Sequence, residues 1–144
     1  LHTMALGIYK NFVTFALWAC LRGDIYQVGE MYADAEKDDI SVLRMASELK
    51  LFYSEFKRDH PDDALSEIGD MDLKVLGSRA SPSLHAKGAE TEGLLAFSVY
   101  VLRLHSHILP SGGLLLAAAE ALNNFQILLR QPSQNPSARE QQDS

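Results

Sequence analysis

Cysteine is almost absent from this chain of 144 residues, because Cys20 is the only one. A single cysteine excludes an internal disulfide, and with it a secreted disulfide scaffold or a cysteine-based metal site. Trp18, Ala19 and Leu21 surround Cys20 in the sequence. We therefore expect a buried thiol with a raised pKa and no nucleophilic role. A reducing, intracellular location, cytoplasmic or nuclear, is the matching expectation.

Basic residues are also scarce: 13 Lys and Arg stand against 19 Asp and Glu, which gives a net charge of -6. This balance is opposite to the strongly basic character of a typical duplex DNA binder. The charge is unevenly distributed, because residues 1–73 carry a net charge of -7 and residues 74–130 carry +2. Any contact with an anionic partner is therefore expected from the second half of the chain.

Long hydrophobic runs are missing too. The apolar stretch Phe12–Leu21 lies between Lys10 and Arg22 and has about half the length that a membrane span needs. It also lacks the cleavage pattern of a signal peptide, so we predict a core helix and no membrane partner. The chain opens with Leu1 rather than Met, and we expect a piece of a longer protein or a processed product.

Signatures of catalysis and of metal binding are lacking as well. His105 and His107 are two residues apart, so on a helix they point about 200° apart and cannot share one ion. The acidic segment 34–39 has neither the glycine nor the final glutamate of a calcium loop. Segment 81–85 places serines near a histidine without a nucleophile elbow. We predict no enzyme, no cofactor and no metal.

What the sequence does contain is apolar residues at three- and four-residue steps, which predict an all-α fold. We expect one compact bundle of five or six helices over residues 1–130. The predicted helices are 3–21, 25–35, 41–57, 62–68, 89–109 and 114–130. An irregular loop is expected at about 69–88, with at most one helical turn at 73–76. Residues 131–144 hold no large apolar side chain and are predicted to be a flexible tail.

The last helix provides the main functional hypothesis. Leu115, Leu122, Phe125 and Leu129 recur with Ala118 at alternating steps and form a short helical seam. The helices offer more apolar faces than a monomer of this size comfortably buries. The leading prediction is a non-enzymatic protein-interaction or self-assembly module, a homo-oligomer, with these four residues at the interface. A well-filled core around two central helices would explain the same surplus.

The alternative is a binding module for single-stranded nucleic acid, of the nucleocapsid type. Its candidate phosphate-binding residues come from the positive region 74–107. They are Lys74, Arg79, His85, Lys87 and Arg103. A solvated loop with ordinary basic residues explains the same pattern, because no aromatic side chain within the loop can stack on a base.

Overall fold

The computed structural model describes residues 2–130, and over this range the all-α prediction is confirmed. The predicted tail, 131–144, lies outside the described residues. Within residues 2–130, five α-helices and one 3-10 turn follow one another. They are α1 (His2–Arg22), α2 (Asp34–Asp59), α3 (Leu73–Leu76), α4 (Gly88–His105), the 3-10 turn Ser106–Ile108 and α5 (Gly112–Arg130).

Helix α4 is the centre of the fold. It buries residues over most of its circumference, and the face that is not fully buried carries Glu92, Ala96, Tyr100 and Arg103. The buried ones are Thr91, Gly93, Leu94, Leu95, Phe97, Ser98, Val99, Val101 and Leu102. Helix α1 runs parallel to α4, because Leu6 lies against Gly88 at one end and Gly23 lies against Leu109 at the other. The apolar character of α1 is thus used in the core, with Val13, Leu17 and other side chains fully buried.

Helix α2 packs against another side of α4, in the antiparallel direction. Tyr53 approaches Gly93 near the start of α4, whereas the Glu48 carboxylate lies 3.0 Å from His105 Nε2 at its end. Phe52 packs against Phe97 with ring centroids 5.7 Å apart. Helix α2 begins earlier than predicted, and its early acidic residues suit the positive end of the helix dipole.

The helix predicted at 25–35 is wrong. Asp24 and Gln27 have left-handed backbone angles (φ 49° and 53°), and Gly29 has φ 100°, so the chain cannot continue as a right-handed helix. The Asp24 carboxylate accepts hydrogen bonds from the backbone N–H of Val28 and of Gly29. It therefore closes a loop where the sequence indicated a helix cap.

The short helix predicted at 62–68 is also wrong. This segment crosses α2 and α4 without helical structure, and the Ile68 N–H donates to Tyr53 Oη at 3.2 Å. The absence of a side chain at Gly93 lets the Ser66 carbonyl approach, because a Cβ there would lie 3.3 Å from that oxygen. Tertiary contacts thus provide hydrogen-bond partners and burial that a short isolated helix lacks.

The loop predicted at about 69–88 contains α3, where a helical turn was expected, and then a tight reversal at 78–81. Gly77 and Pro82 form an isolated bridge across this reversal. The Trp18 Nε1–H of α1 donates to the Leu76 carbonyl at 2.7 Å, and both residues are almost fully buried. Segment 73–84 therefore covers the side of α1 that faces away from α4.

Candidate interface on the last helix

Helix α5 begins directly after the turn at Pro110 and packs antiparallel to α4. Its fully buried positions are Gly112, Ala119 and Gln126, which are seven residues apart and so lie on one line of the helix. Gly112 has no room for a side chain because the Ser106 carbonyl occupies that space. Only this narrow line of α5 is fully buried, and the opposite side of the helix faces away from the protein.

That opposite side carries a continuous apolar surface, which we call the outer stripe. It consists of Leu114, Ala118, Ala121, Phe125 and Leu128. Leu114 is 77% exposed, Leu128 is 68% exposed and Phe125 is 44% exposed. The steps between these residues alternate between four and three, which is the spacing of a helix-pairing seam. Within α5 the only charged residues are Glu120 and Arg130, and neither belongs to the stripe.

In the structure, the four residues of the predicted seam do not share one environment. Leu115 and Leu122 are half-buried and pack against the core, whereas Phe125 and Leu129 are exposed, Leu129 to 38%. The exposed surface thus runs through Leu114 and Leu128, one residue before the predicted positions at each end. The interface role of the four predicted residues stays a prediction.

The sequence contains both registers of the seam, because Ala118 and Phe125 belong to each of them. The line of Gly112, Ala119 and Gln126 decides between the two registers, because it faces α4 and so fixes which side of α5 is exposed. Small residues at two of these positions let the backbones approach closely. The sequence pattern does not indicate this line, because glutamine is usually exposed and Gln126 is buried here.

By length and composition, two helices of the described region could cross a bilayer: α1 over Thr3–Arg22 and α5 over Gly112–Arg130. The estimate from the run Phe12–Leu21 considered only half of α1. The apolar window of α1 is 44% buried inside the protein and that of α5 is 17% buried. Core helices of soluble proteins also meet this criterion, so the prediction of no membrane partner stays a prediction.

The five candidate phosphate-binding residues do not form one cluster. Lys74 and His85 lie on neighbouring segments, because the His85 N–H donates to the Val75 carbonyl at 2.7 Å, and Lys87 follows two residues later. All three of these side chains are exposed. Arg103 lies 15 residues beyond the first residue of α4, which is about 22 Å along the helix axis.

Arg79 has a structural partner. Its guanidinium donates to both carboxylate oxygens of Asp38, at 2.7 Å and 3.1 Å, and the Asp38 side chain is only 6% exposed. This hydrogen bonding raises the pKa of Arg79 above its ordinary value. The Arg79 carbonyl in turn accepts from Arg22 of α1. The pair therefore fastens segment 73–84 to α1 and α2.

Cys20 is fully buried, as predicted, and burial raises its thiol pKa to about 12. Its thiol is consequently protonated and unreactive at neutral pH. His105 binds Glu48, while His107 is exposed, so the two histidines do not converge. Within residues 2–130 no group of three or more His, Cys, Asp or Glu side chains is arranged to hold a metal ion.

Comparisons of the chain with models of protein families, with curated proteins and with solved structures find no match in any of the three. The structure defines an all-α helical domain, and the exposed face of α5 is its main candidate site.

Proposed function

We propose that this chain is a non-enzymatic self-assembly module in which two copies pair through the outer stripe of α5. The observation that carries the proposal is the stripe itself: an exposed, uncharged apolar surface with the four-and-three spacing of paired helices. Exposed apolar surfaces of this kind on soluble proteins mark interaction sites.

Side-chain size favours a second copy as the occupant. In an antiparallel pair with its two-fold axis at Ala121, Leu114 of one copy faces Leu128 of the other. Phe125 then lies opposite Ala117, an exposed residue beside the outer stripe, so a large ring faces a small side chain. A surface that complements itself under a two-fold axis is what an isologous dimer requires.

The test is the mass of the full chain in solution, measured by sedimentation equilibrium over a range of concentrations. We expect a dimer for the unchanged protein and a folded monomer for Leu128→Glu, because a buried unpaired charge opposes pairing. Leu43→Glu on α2 is a matched control, since Leu43 and Leu128 are both 68% exposed. The control should remain a dimer.

Two results would contradict the proposal. One is a monomeric unchanged protein at every concentration, and the other is a Leu128→Glu variant that remains dimeric. If the protein is monomeric and binds lipid vesicles only when Leu128 is intact, the outer stripe is a lipid-binding surface instead.

A second candidate function is binding of single-stranded nucleic acid, and one specific observation favours it. A shallow groove between α1 and segment 82–84 contains Lys10, Phe15 and Arg22. Phe15 is 63% exposed and lies between the two cations in the sequence, and α1 has no acidic residue. Phosphates and a stacked base need this combination of cations and an exposed ring. The sequence pattern indicated phosphate-binding residues in the loop 74–87, but it did not indicate Phe15 as a binding residue.

Fluorescence anisotropy with a labelled single-stranded oligonucleotide tests this candidate. We expect binding that weakens as salt concentration rises, and Phe15→Ala should weaken it by about 1–3 kcal/mol. Met31→Ala is the control, because Met31 is 86% exposed and lies outside the groove. No binding at low salt would rule this candidate out for the chain as given.

A further inference from the structure

A groove of about 690 Å³ lies between the end of α2, the middle of α4 and the inner side of α5. Its volume is within the range of about 300–1,000 Å³ that small-molecule sites occupy. Three aromatic side chains, Phe52, Phe56 and Tyr100, line one wall. Aliphatic side chains such as Leu104 and Ile127 complete the apolar lining. The groove borders the face of α5 opposite the outer stripe, so it is independent of the proposed dimer.

Two amide side chains of α5 line this groove, and each has one buried polar atom without a partner within the described part of the chain. Gln126 is only 3% exposed, and its Nε2 finds no hydrogen-bond partner within the described part of the chain. Asn123 Oδ1 is buried and has no partner there either. The two residues are three positions apart, which places them on the same side of the helix. A buried polar group without a partner costs free energy, so this arrangement is unusual in a stable fold.

The charged residues of the groove already have partners. Arg103 lies 3.6 Å from the Glu120 carboxylate. Arg130 lies 3.6 Å from Asp63 and 3.9 Å from Glu92. Both arginines that line the groove are thus balanced by carboxylates. An anionic ligand would have to displace these carboxylates, whereas a neutral ligand leaves the ion pairs intact.

We propose that this groove binds a neutral aromatic molecule that carries a hydrogen-bond acceptor beside a donor, as an amide, a lactam or a nitrogen heterocycle does. The acceptor takes the N–H of Gln126, and the donor binds Asn123 Oδ1. The terminal torsion of a glutamine side chain is soft, so the amide turns toward a ligand without breaking an existing bond of its Nε2. The aromatic wall contacts the apolar body of the ligand.

Isothermal titration calorimetry with three matched probes tests this proposal on the full chain. The probes are 2-naphthamide, 2-naphthoate and naphthalene, which share one ring system. They differ in the polar group: an amide with donor and acceptor, an anion with acceptors only, and none. We expect 2-naphthamide to bind about tenfold more tightly than 2-naphthoate, which lacks the donor and so loses one well-made hydrogen bond. Naphthalene lacks both groups and should bind more weakly still. Equal or tighter binding of 2-naphthoate or naphthalene, or no binding of any probe, overturns the proposal.

Two variants connect the binding to the unpaired amides. Gln126→Leu should weaken 2-naphthamide binding about tenfold and at the same time raise the melting temperature, because it removes a buried unpaired group. Asn123→Ala should weaken binding in the same direction. Asn124→Ala is the matched control, because Asn124 is the neighbouring residue, is exposed and is not part of the groove. If Gln126→Leu lowers the melting temperature, the amide has a structural partner and the proposal is wrong.

Discussion

Helices α1 and α5 are similarly apolar but differ in burial. Both are apolar enough to meet the criterion for a membrane span, yet the window of α1 is 44% buried and that of α5 only 17%. The difference arises because α1 is covered by α4 on one side and by segment 73–84 on another, whereas α5 is fully buried along only one narrow line. Similar helices therefore serve different purposes, one as core and one as exposed surface.

The largest predicted effect is on the covered helix. Trp18→Ala should lower the free energy of unfolding by about 4 kcal/mol, because a fully buried indole is lost and a cavity remains. The Leu76 carbonyl also loses its side-chain donor. Urea unfolding followed by circular dichroism measures this change. If the cost is below about 1 kcal/mol, segment 73–84 does not cover α1 as described.

The ion pair that fastens this cover gives the next effect. Arg79→Ala should cost about 2 kcal/mol, because it leaves the buried Asp38 carboxylate without its partner. The double variant Asp38→Leu with Arg79→Met should recover most of that loss, since it removes both charges. A double-mutant cycle with the single variants Asp38→Leu and Arg79→Met measures the coupling. Strict additivity would mean that the pair makes no net contribution.

Alkaline pH should lower the free energy of unfolding of the protein. Burial raises the Cys20 thiol pKa from 9.0 to about 12, and burial followed by the nearby Glu48 carboxylate raises the pKa of Tyr26. The folded protein holds these protons more tightly than the unfolded chain. Its stability is therefore fully present below pH 9 and falls as the pH rises toward 12.

We expect this fall to be about 1 kcal/mol per pH unit for each group that titrates only in the unfolded chain. Urea unfolding at about pH 7.5 and about pH 10.5 measures it. Cys20→Ala should make the dependence less steep. An unchanged dependence in that variant would show that the thiol is not responsible.

The smallest effect on stability is predicted for the uncovered helix. Leu114→Cys and Leu128→Cys should each change the free energy of unfolding of the monomer by less than about 0.5 kcal/mol, because these side chains are exposed in the single chain. Mixed under oxidising conditions, the two variants should form a disulfide with each other, since antiparallel pairing brings the two positions together. Disulfides only within each variant would indicate parallel pairing. The buried Cys20 does not interfere.

The sequence predicted the helices well where periodicity persists over several turns. Helices α1, α4 and α5 lie within a few residues of their predicted bounds, and the helical turn at 73–76 is present. The two wrong helices, at 25–35 and 62–68, fail for one reason. Their hydrogen bonds are formed with the Asp24 side chain and with Tyr53, and local pattern does not reveal such partners.

The candidate sites were less predictable. The positive charges at Lys74 and Arg103 are evident in the sequence, but the structure places them on different parts of the fold. Arg79 forms a salt bridge with Asp38. The register of the seam on α5 depends on which line of the helix faces α4. Phe15 and Gln126 could not be identified in advance, because their importance comes from exposure and from a missing partner.

By itself the sequence determined that this protein is helical and that Cys20 is buried. Each of these follows from the chemistry and spacing of neighbouring residues, which local structure preserves. Only the tertiary structure decided which apolar face stays uncovered, which cations remain free and where an amide is buried alone. Those properties depend on contacts between segments far apart in the chain, and hydrophobic burial, being non-directional, does not specify them residue by residue.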